Sequence, residues 1–210
     1  MVESKLNEME REVAKSHEMI HKLSRDYSAK VERCMTDHTG GGAELYTNLH
    51  IKLTKDLGEL KGKKILEIGA GPCYYLEVLK QLNSEVYAID TNDQKGLPEK
   101  NGINFSLKDL FDFPYDKTLT PKDIFPNADF SEFDAVISRL FLERIVIPDK
   151  KDAKKMINLI TPLSKLHLHE TICDESWLSH FDNQKLGFNK KEYSISDFIV
   201  PNEIYVLRRD

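Results

Sequence analysis

KKILEIGAGPCYYLEVLKQLNSEVYAID, residues 63–90, is the stretch that decides the fold. Its opening KKILEIG is a short apolar run and reads as a strand. CYYLEVLKQL reads as a helix and SEVYAID as a second strand. Between the first strand and the helix stand Gly69, Ala70, Gly71, Pro72 and Cys73. Glycines have no Cβ, so the backbone there can turn sharply and approach a ligand closely. A strand, a glycine bend, a helix and a further strand form the opening unit of an α/β sheet built by crossovers. In such a sheet the ligand lies outside the carboxyl ends of the strands.

The same alternation continues outward. GINFSLKD predicts a third strand, FDAVIS a fourth, KDAKKMINLITPL a helix and SKLHLHETI a fifth strand. EYSISDFIV and EIYVLRR predict two more strands joined through Pro201-Asn202, an antiparallel hairpin at one sheet edge. The expected fold class is α/β, with a Rossmann-like, mostly parallel sheet of about seven strands. Upstream, Leu6, Met9, Val13, Ile20, Leu23, Tyr27 and Val31 follow a three-four spacing that predicts a helix with one apolar stripe, and Ser4 could cap it. Packing on the domain covers such a stripe; a partner copy would cover it as the seam of a homodimer. Thr39-Gly40-Gly41-Gly42 should break the helix and serve as a hinge, with a second helix from about Ala43 to Leu60. The expected organisation is an N-terminal helical cap or lid, residues 1–60, followed by one domain, residues 61–210.

The bend KKILEIGAGPC resembles the ExGxGx loop of Rossmann-type S-adenosylmethionine-dependent methyltransferases, with Glu67 two residues before Gly69 and Gly71 after it. A nicotinamide-binding GxGxxG loop is the rival, but its third glycine would have to be Tyr74, which is bulky where that fold packs helix on strand. Cys73 departs from the methyltransferase pattern, standing where many members carry a further glycine. The resemblance implies S-adenosylmethionine as cofactor. Glu67 would support the amino end of its methionine, while Gly69, Ala70, Gly71 and Cys73 form the bend beneath it. About twenty residues beyond the loop, Asp90 ends the second strand where the family's acid accepts from the ribose hydroxyls. Thr91 and Asn92 would line that edge. Asp109 matches the acid that accepts from the adenine amino group, with Leu110 offering its backbone, although Asp109 and Asp112 equally suit the start of a turn. Ser138 and Arg139, ending the fourth strand, would face the methionine or the acceptor; a surface ion pair is the plain alternative for Arg139.

On the acceptor side, FDAVISRLFLERI, including Glu143, is similar to small-molecule methyltransferases and lacks the Asn/Asp-Pro-Pro-Tyr signature of enzymes that methylate base or glutamine nitrogens. The expected acceptor is therefore a metabolite or natural-product-like small molecule. Two residues are candidates for acid-base work: Tyr27, on a segment that resembles the family's active-site helix, with His38 and Tyr46 as neighbours, and His169, near the carboxyl edge of the fifth strand. His167 and His169 are two apart and so share a face. With no third ligand in view, hydrogen-bonded histidines suit the pattern better than a metal, and no metal is expected. His17 should border the helix stripe and His21 meet solvent. Trp177 and Phe181 would wall an acceptor pocket or simply join the core.

The formal charge of −5 and pI near 5.8 give no broad positive field for a phosphate backbone, which disfavours nucleic acid. Cys34, Cys73 and Cys173 contain no CxxC pair, which points to a reducing, cytoplasmic setting. No apolar run reaches the roughly 18 residues of a membrane span. The rival functions are a methyltransferase acting on protein or RNA, and a non-catalytic S-adenosylmethionine-binding partner protein.

Overall fold

The structure, a computed structural model, describes residues 41–71, 73–92, 96–114, 116–139, 155, 156, 158–172, 190–195 and 202–208, with helical positions 11, 14, 15, 18, 19 and 22 near the N terminus. In chain order the numbered elements are α1 (Gly41–Leu57), β1 (Lys64–Ile68), α2 (Tyr74–Gln81), β2 (Glu85–Asp90), α3 (Leu97–Lys100), β3 (Asn104–Leu107), α4 (Pro121–Ile124), β4 (Ala135–Arg139), β5 (Leu166–Ile172), β6 (Lys190–Ile195) and β7 (Asn202–Arg208). Five strands pair in parallel in the order β3-β2-β1-β4-β5. The segments β7 and β6 continue that edge, β7 antiparallel to both β5 and β6. The fold is α/β and Rossmann-like.

The central strands are hidden on both faces, which is why they read as apolar runs instead of alternating ones. One face carries Ile65, Ala88, Ala135, Ile137 and Leu168 against Leu49 and Leu53 of α1 and Leu76 and Leu79 of α2. The other carries Leu66, Ile68, Ile89 and Val136 against Leu110, Ile124, Phe133, Leu159 and Leu163. Tyr87, Phe125, Phe130 and Phe133 stack edge to face at one end of this second layer. Met19 of the N-terminal helix packs against the first layer, whereas the stripe residues from Leu6 to Val31 lie outside the described residues. No helix among the described residues is long and apolar enough to cross a membrane.

The second N-terminal helix departs from expectation at both ends. Gly41 and Gly42 form the first turn of α1 and do not precede it. First-turn amides have no partner within the helix, so glycine's looseness costs less there than in the interior. The helix also stops before Leu60, because Gly58 takes a φ of 68° and donates its N–H back to the Thr54 carbonyl at 2.8 Å.

Asp56 ties α1 to the last strand: its Oδ1 accepts from Arg208 Nε at 2.8 Å and from a terminal N–H of the same guanidinium, with both side chains largely buried. A forked, charge-assisted contact of this kind joins segments at opposite ends of the chain. Asp56→Ala is expected to lower unfolding stability by about 2 kcal/mol, read from the urea midpoint, because Arg208 keeps its charge but loses its carboxylate. An unchanged midpoint would show that the pair adds nothing.

Candidate active site

The carboxyl ends of β1 and β2 lie side by side, with Ile68 opposite Ile89. Gly69 prolongs that ladder by donating its N–H to the Ile89 carbonyl at 2.9 Å, after which the chain turns away. The turn needs three left-handed residues, Gly69 (φ 66°), Gly71 (φ 51°) and Cys73 (φ 61°). The two glycines adopt that conformation without penalty, whereas at Cys73 it costs roughly 1–2 kcal/mol. Cys73 compensates through contacts: its N–H donates to the Ala70 carbonyl at 3.0 Å, its thiol donates to the Gly71 carbonyl at 3.4 Å, and its own carbonyl receives Glu77 N–H. The thiol is buried, and burial first, then Glu67, Asp90 and Glu99, pushes its pKa far up. Cys73 is thus a protonated staple within the bend, and α2 starts directly after it with no side chain capping its amides. Such an N-terminus favours a negatively charged ligand group.

Asp90 closes the bend from the neighbouring strand. Its Oδ2 accepts the Gly71 N–H and its Oδ1 the Asn92 N–H, both at 2.9 Å. A carboxylate offers about four acceptor positions, so two stay available. Among the described residues, a Cβ on Gly71 would meet nothing within 4 Å. The result is a bare main-chain bend with a carboxylate fastened at its side. Thr91 and Asn92 are exposed beside it.

Asp109 stands next in line, because Lys108 N–H donates to the Asp90 carbonyl at 3.1 Å. Asp109 does start a turn, its Oδ1 accepting from Phe111 N–H at 2.9 Å. The Leu110 side chain belongs to the core, so its backbone is what reaches the edge.

Glu67 is buried on the α1 side of β1. On the opposite side, strand alternation groups Ser138 with Val136 and, through the β4-β5 register, with His169. The Ser138 hydroxyl, buried at the end of β4, meets His169 Nδ1 at 2.8 Å. His169 is fully buried and held neutral, its pKa lowered by burial first and by His167 second. His167 and His169 share a face as expected from their spacing, with ring centroids 5.5 Å apart, and His167 Nε2 bonds the Ser164 carbonyl at 3.0 Å. No group of three or more potential metal ligands occurs among the described residues. Arg139, half-buried, pairs in register with Glu170. Tyr27, His38, His17, His21, Glu143, Trp177 and Phe181 lie outside the described residues, as does the side chain of Tyr46.

Two buried polar residues next to this site escaped the sequence reading. His50 of α1 and Tyr75 of α2 meet through Nδ1 and the phenol oxygen at 3.3 Å. The signal was present in α1, where Leu49 and Leu53 define a buried face on which His50 and Thr54 fall one position over.

No family model matches the chain. It is 25% identical over 179 residues to an uncharacterised methyltransferase of Staphylococcus carnosus strain TM300, covering 80% of this chain and 76% of that protein. Among solved structures it is similar to DhpI in complex with S-adenosylhomocysteine, with a TM-score of 0.58, 14% identity and coverage of 91% and 97% of the two chains. It is also similar to the magnesium protoporphyrin IX methyltransferase of Synechocystis PCC 6803 with bound S-adenosylmethionine, with a TM-score of 0.56, 16% identity and coverage of 79% and 78%. A Pyrococcus horikoshii protein assigned by inference as an RNA methyltransferase has a TM-score of 0.55 at 14% identity, covering 80% and 84%.

Proposed function

We propose that this chain binds S-adenosylmethionine and transfers its methyl group to a small-molecule acceptor, a metabolite or natural-product-like compound. The observation that carries the reading is the bend from Gly69 to Cys73, open above Gly71 among the described residues and fastened to Asp90, which keeps two acceptor positions for ribose hydroxyls. The similarity to a methyltransferase sequence and to methyltransferase folds supports it.

The cofactor supplies a methyl group on a positively charged sulfur, open to in-line displacement by a nucleophile. In this reading Glu67 faces the amino end of the methionine, Gly69, Ala70, Gly71 and Cys73 offer main chain, Asp90 and Thr91 border the ribose, and Asp109 and Leu110 border the adenine. Ser138 and Arg139 complete the β4 end. The protein's task is chiefly to aim the acceptor and exclude water, since proximity and orientation provide most of the acceleration. His169, with Nδ1 committed to Ser138, acts on the site through β4 as a positioning residue and not as a base touching the acceptor. Tyr27 is then our candidate at the acceptor, brought there by a cap formed from residues 1–60. The sheet edge is read as closing with an antiparallel hairpin of β6 and β7. The N-terminal helix remains our candidate seam for a homodimer.

An RNA acceptor is the second reading, because one fold neighbour is assigned that role. The net charge of −5 weighs against it. Calorimetric titration with S-adenosylhomocysteine should show saturable binding to one site, and labelled methyl transfer should appear with members of a small-molecule panel and not with RNA. A folded protein giving no heat with S-adenosylhomocysteine or S-adenosylmethionine would sink the assignment. Binding without transfer to any acceptor class would reduce the chain to a cofactor-binding module.

A further inference from the structure

Behind the bend, on the α1 side of the sheet, three polar residues are buried in a largely aliphatic layer. Glu67 projects there from β1, His50 reaches in from α1, and Tyr75 comes from the first turn of α2; none is more than 1% exposed. Around them lie Leu49, Leu53, Ile65, Leu76 and Ile137. The imidazole and phenol rings meet edge to face, centroids 6.1 Å apart and planes at 87°, with Nδ1 3.3 Å from the hydroxyl oxygen. Burial first, and the Glu67 carboxylate second, hold the Tyr75 phenol in its protonated form.

Aliphatic side chains of similar size would fill this layer with no desolvation cost, so three polar groups in one place call for a use beyond packing. Their order in space supplies one. A phenol can donate one hydrogen bond and accept another, so a Tyr75 hydroxyl that donated to the Glu67 carboxylate would accept from His50 Nδ1–H, with which it is in contact at 3.3 Å. Such a relay would run from α1 through α2 to the end of β1. A carboxylate held by a donor on one oxygen would keep its other oxygen for a ligand.

We propose that His50 and Tyr75 are positioning residues that hold the Glu67 carboxylate toward the ammonium group of the bound cofactor, setting affinity for its amino-acid part and not for its nucleoside part. The inference rests on the cofactor assignment above. It separates two halves of one ligand, and that separation is measurable.

The full-length chain and its Tyr75→Phe, His50→Leu and His50→Asn variants would be titrated with S-adenosylhomocysteine and with 5′-methylthioadenosine, which has the same nucleoside but no amino acid. Thermal unfolding would verify that each variant is folded. Tyr75→Phe, which keeps the ring and its packing, is expected to weaken S-adenosylhomocysteine by about 5- to 20-fold and to leave 5′-methylthioadenosine within about twofold. His50→Leu should act in the same direction, and His50→Asn should recover most of the loss, because an amide N–H can replace the imidazole donor. Equal weakening of both ligands would mark a structural role and overturn the proposal, as would no weakening of either. If the unaltered chain bound neither compound, the cofactor assignment itself would fall, a result distinct from binding that the variants leave unchanged.

Discussion

Asp90→Asn is expected to weaken S-adenosylhomocysteine binding by about 10- to 100-fold while leaving the chain folded. The size follows from how many donors this one side chain serves. Its two oxygens already accept the Gly71 and Asn92 amides, and the positions left are those proposed for the ribose hydroxyls. An asparagine of the same shape keeps one oxygen and presents an NH2 group in place of the other. That NH2 must face either the Gly71 N–H, loosening the bend, or the Asn92 N–H, loosening the strand end. In either orientation one backbone donor loses its partner and the ligand loses an acceptor. Calorimetry at fixed salt would measure the change, and affinity within twofold of the unaltered chain would show that Asp90 only fastens the loop. Asp109→Asn supplies the contrast: its Oδ1 serves one turn amide, so the same change should cost less.

The strands and the bend were legible in the sequence because each rests on local chemistry. Ile65, Leu66 and Ile68 form an apolar run because β1 is covered on both faces, and Gly69 and Gly71 stand where positive φ is required. Asp90 was legible as the acid at the end of β2. Its bond to Gly71 was not, since that contact depends on β1 and β2 being neighbours in register. The two histidines of β5 illustrate the same division. Their period of two put them on one face, but only the β4-β5 register brings Ser138 opposite His169, where its hydroxyl meets the imidazole. His50 and Tyr75 were missed for a related reason. Each reads alone as an ordinary helix residue, and their meeting requires α1 and α2 to cover the same face of the sheet. The early stop of α1 was recoverable, because Gly58 is a good left-handed C-terminal residue, yet the apolar Leu60 beyond it suggested a longer helix.

Acid is expected to unfold this chain well above the pH at which its carboxylates titrate. Burial pushes the His50 pKa down from 6.5 to about 4, and burial together with His167 pushes that of His169 well below 6.5. In the unfolded chain both imidazoles titrate near 6.5. Between the unfolded and folded values the unfolded chain therefore binds more protons, so stability falls as pH drops through 6.5 and stops falling, for His50, below about 4. Full protonation of His50 alone corresponds to a loss of up to roughly 3 kcal/mol, a large share of a typical domain's stability. Asp123, held down to about 2 chiefly by its hydrogen bond from Lys117, acts only at lower pH and does not enter this window. Urea midpoints measured at pH 7, 6 and 5 should decline steadily in the unaltered chain. In His50→Leu, which has no buried imidazole to charge at that position, the decline should be markedly shallower, with His169 among what still drives it. Parallel declines in the two proteins would show that burial does not lower the His50 pKa in the folded chain, and the proton linkage argued for it would have to be abandoned.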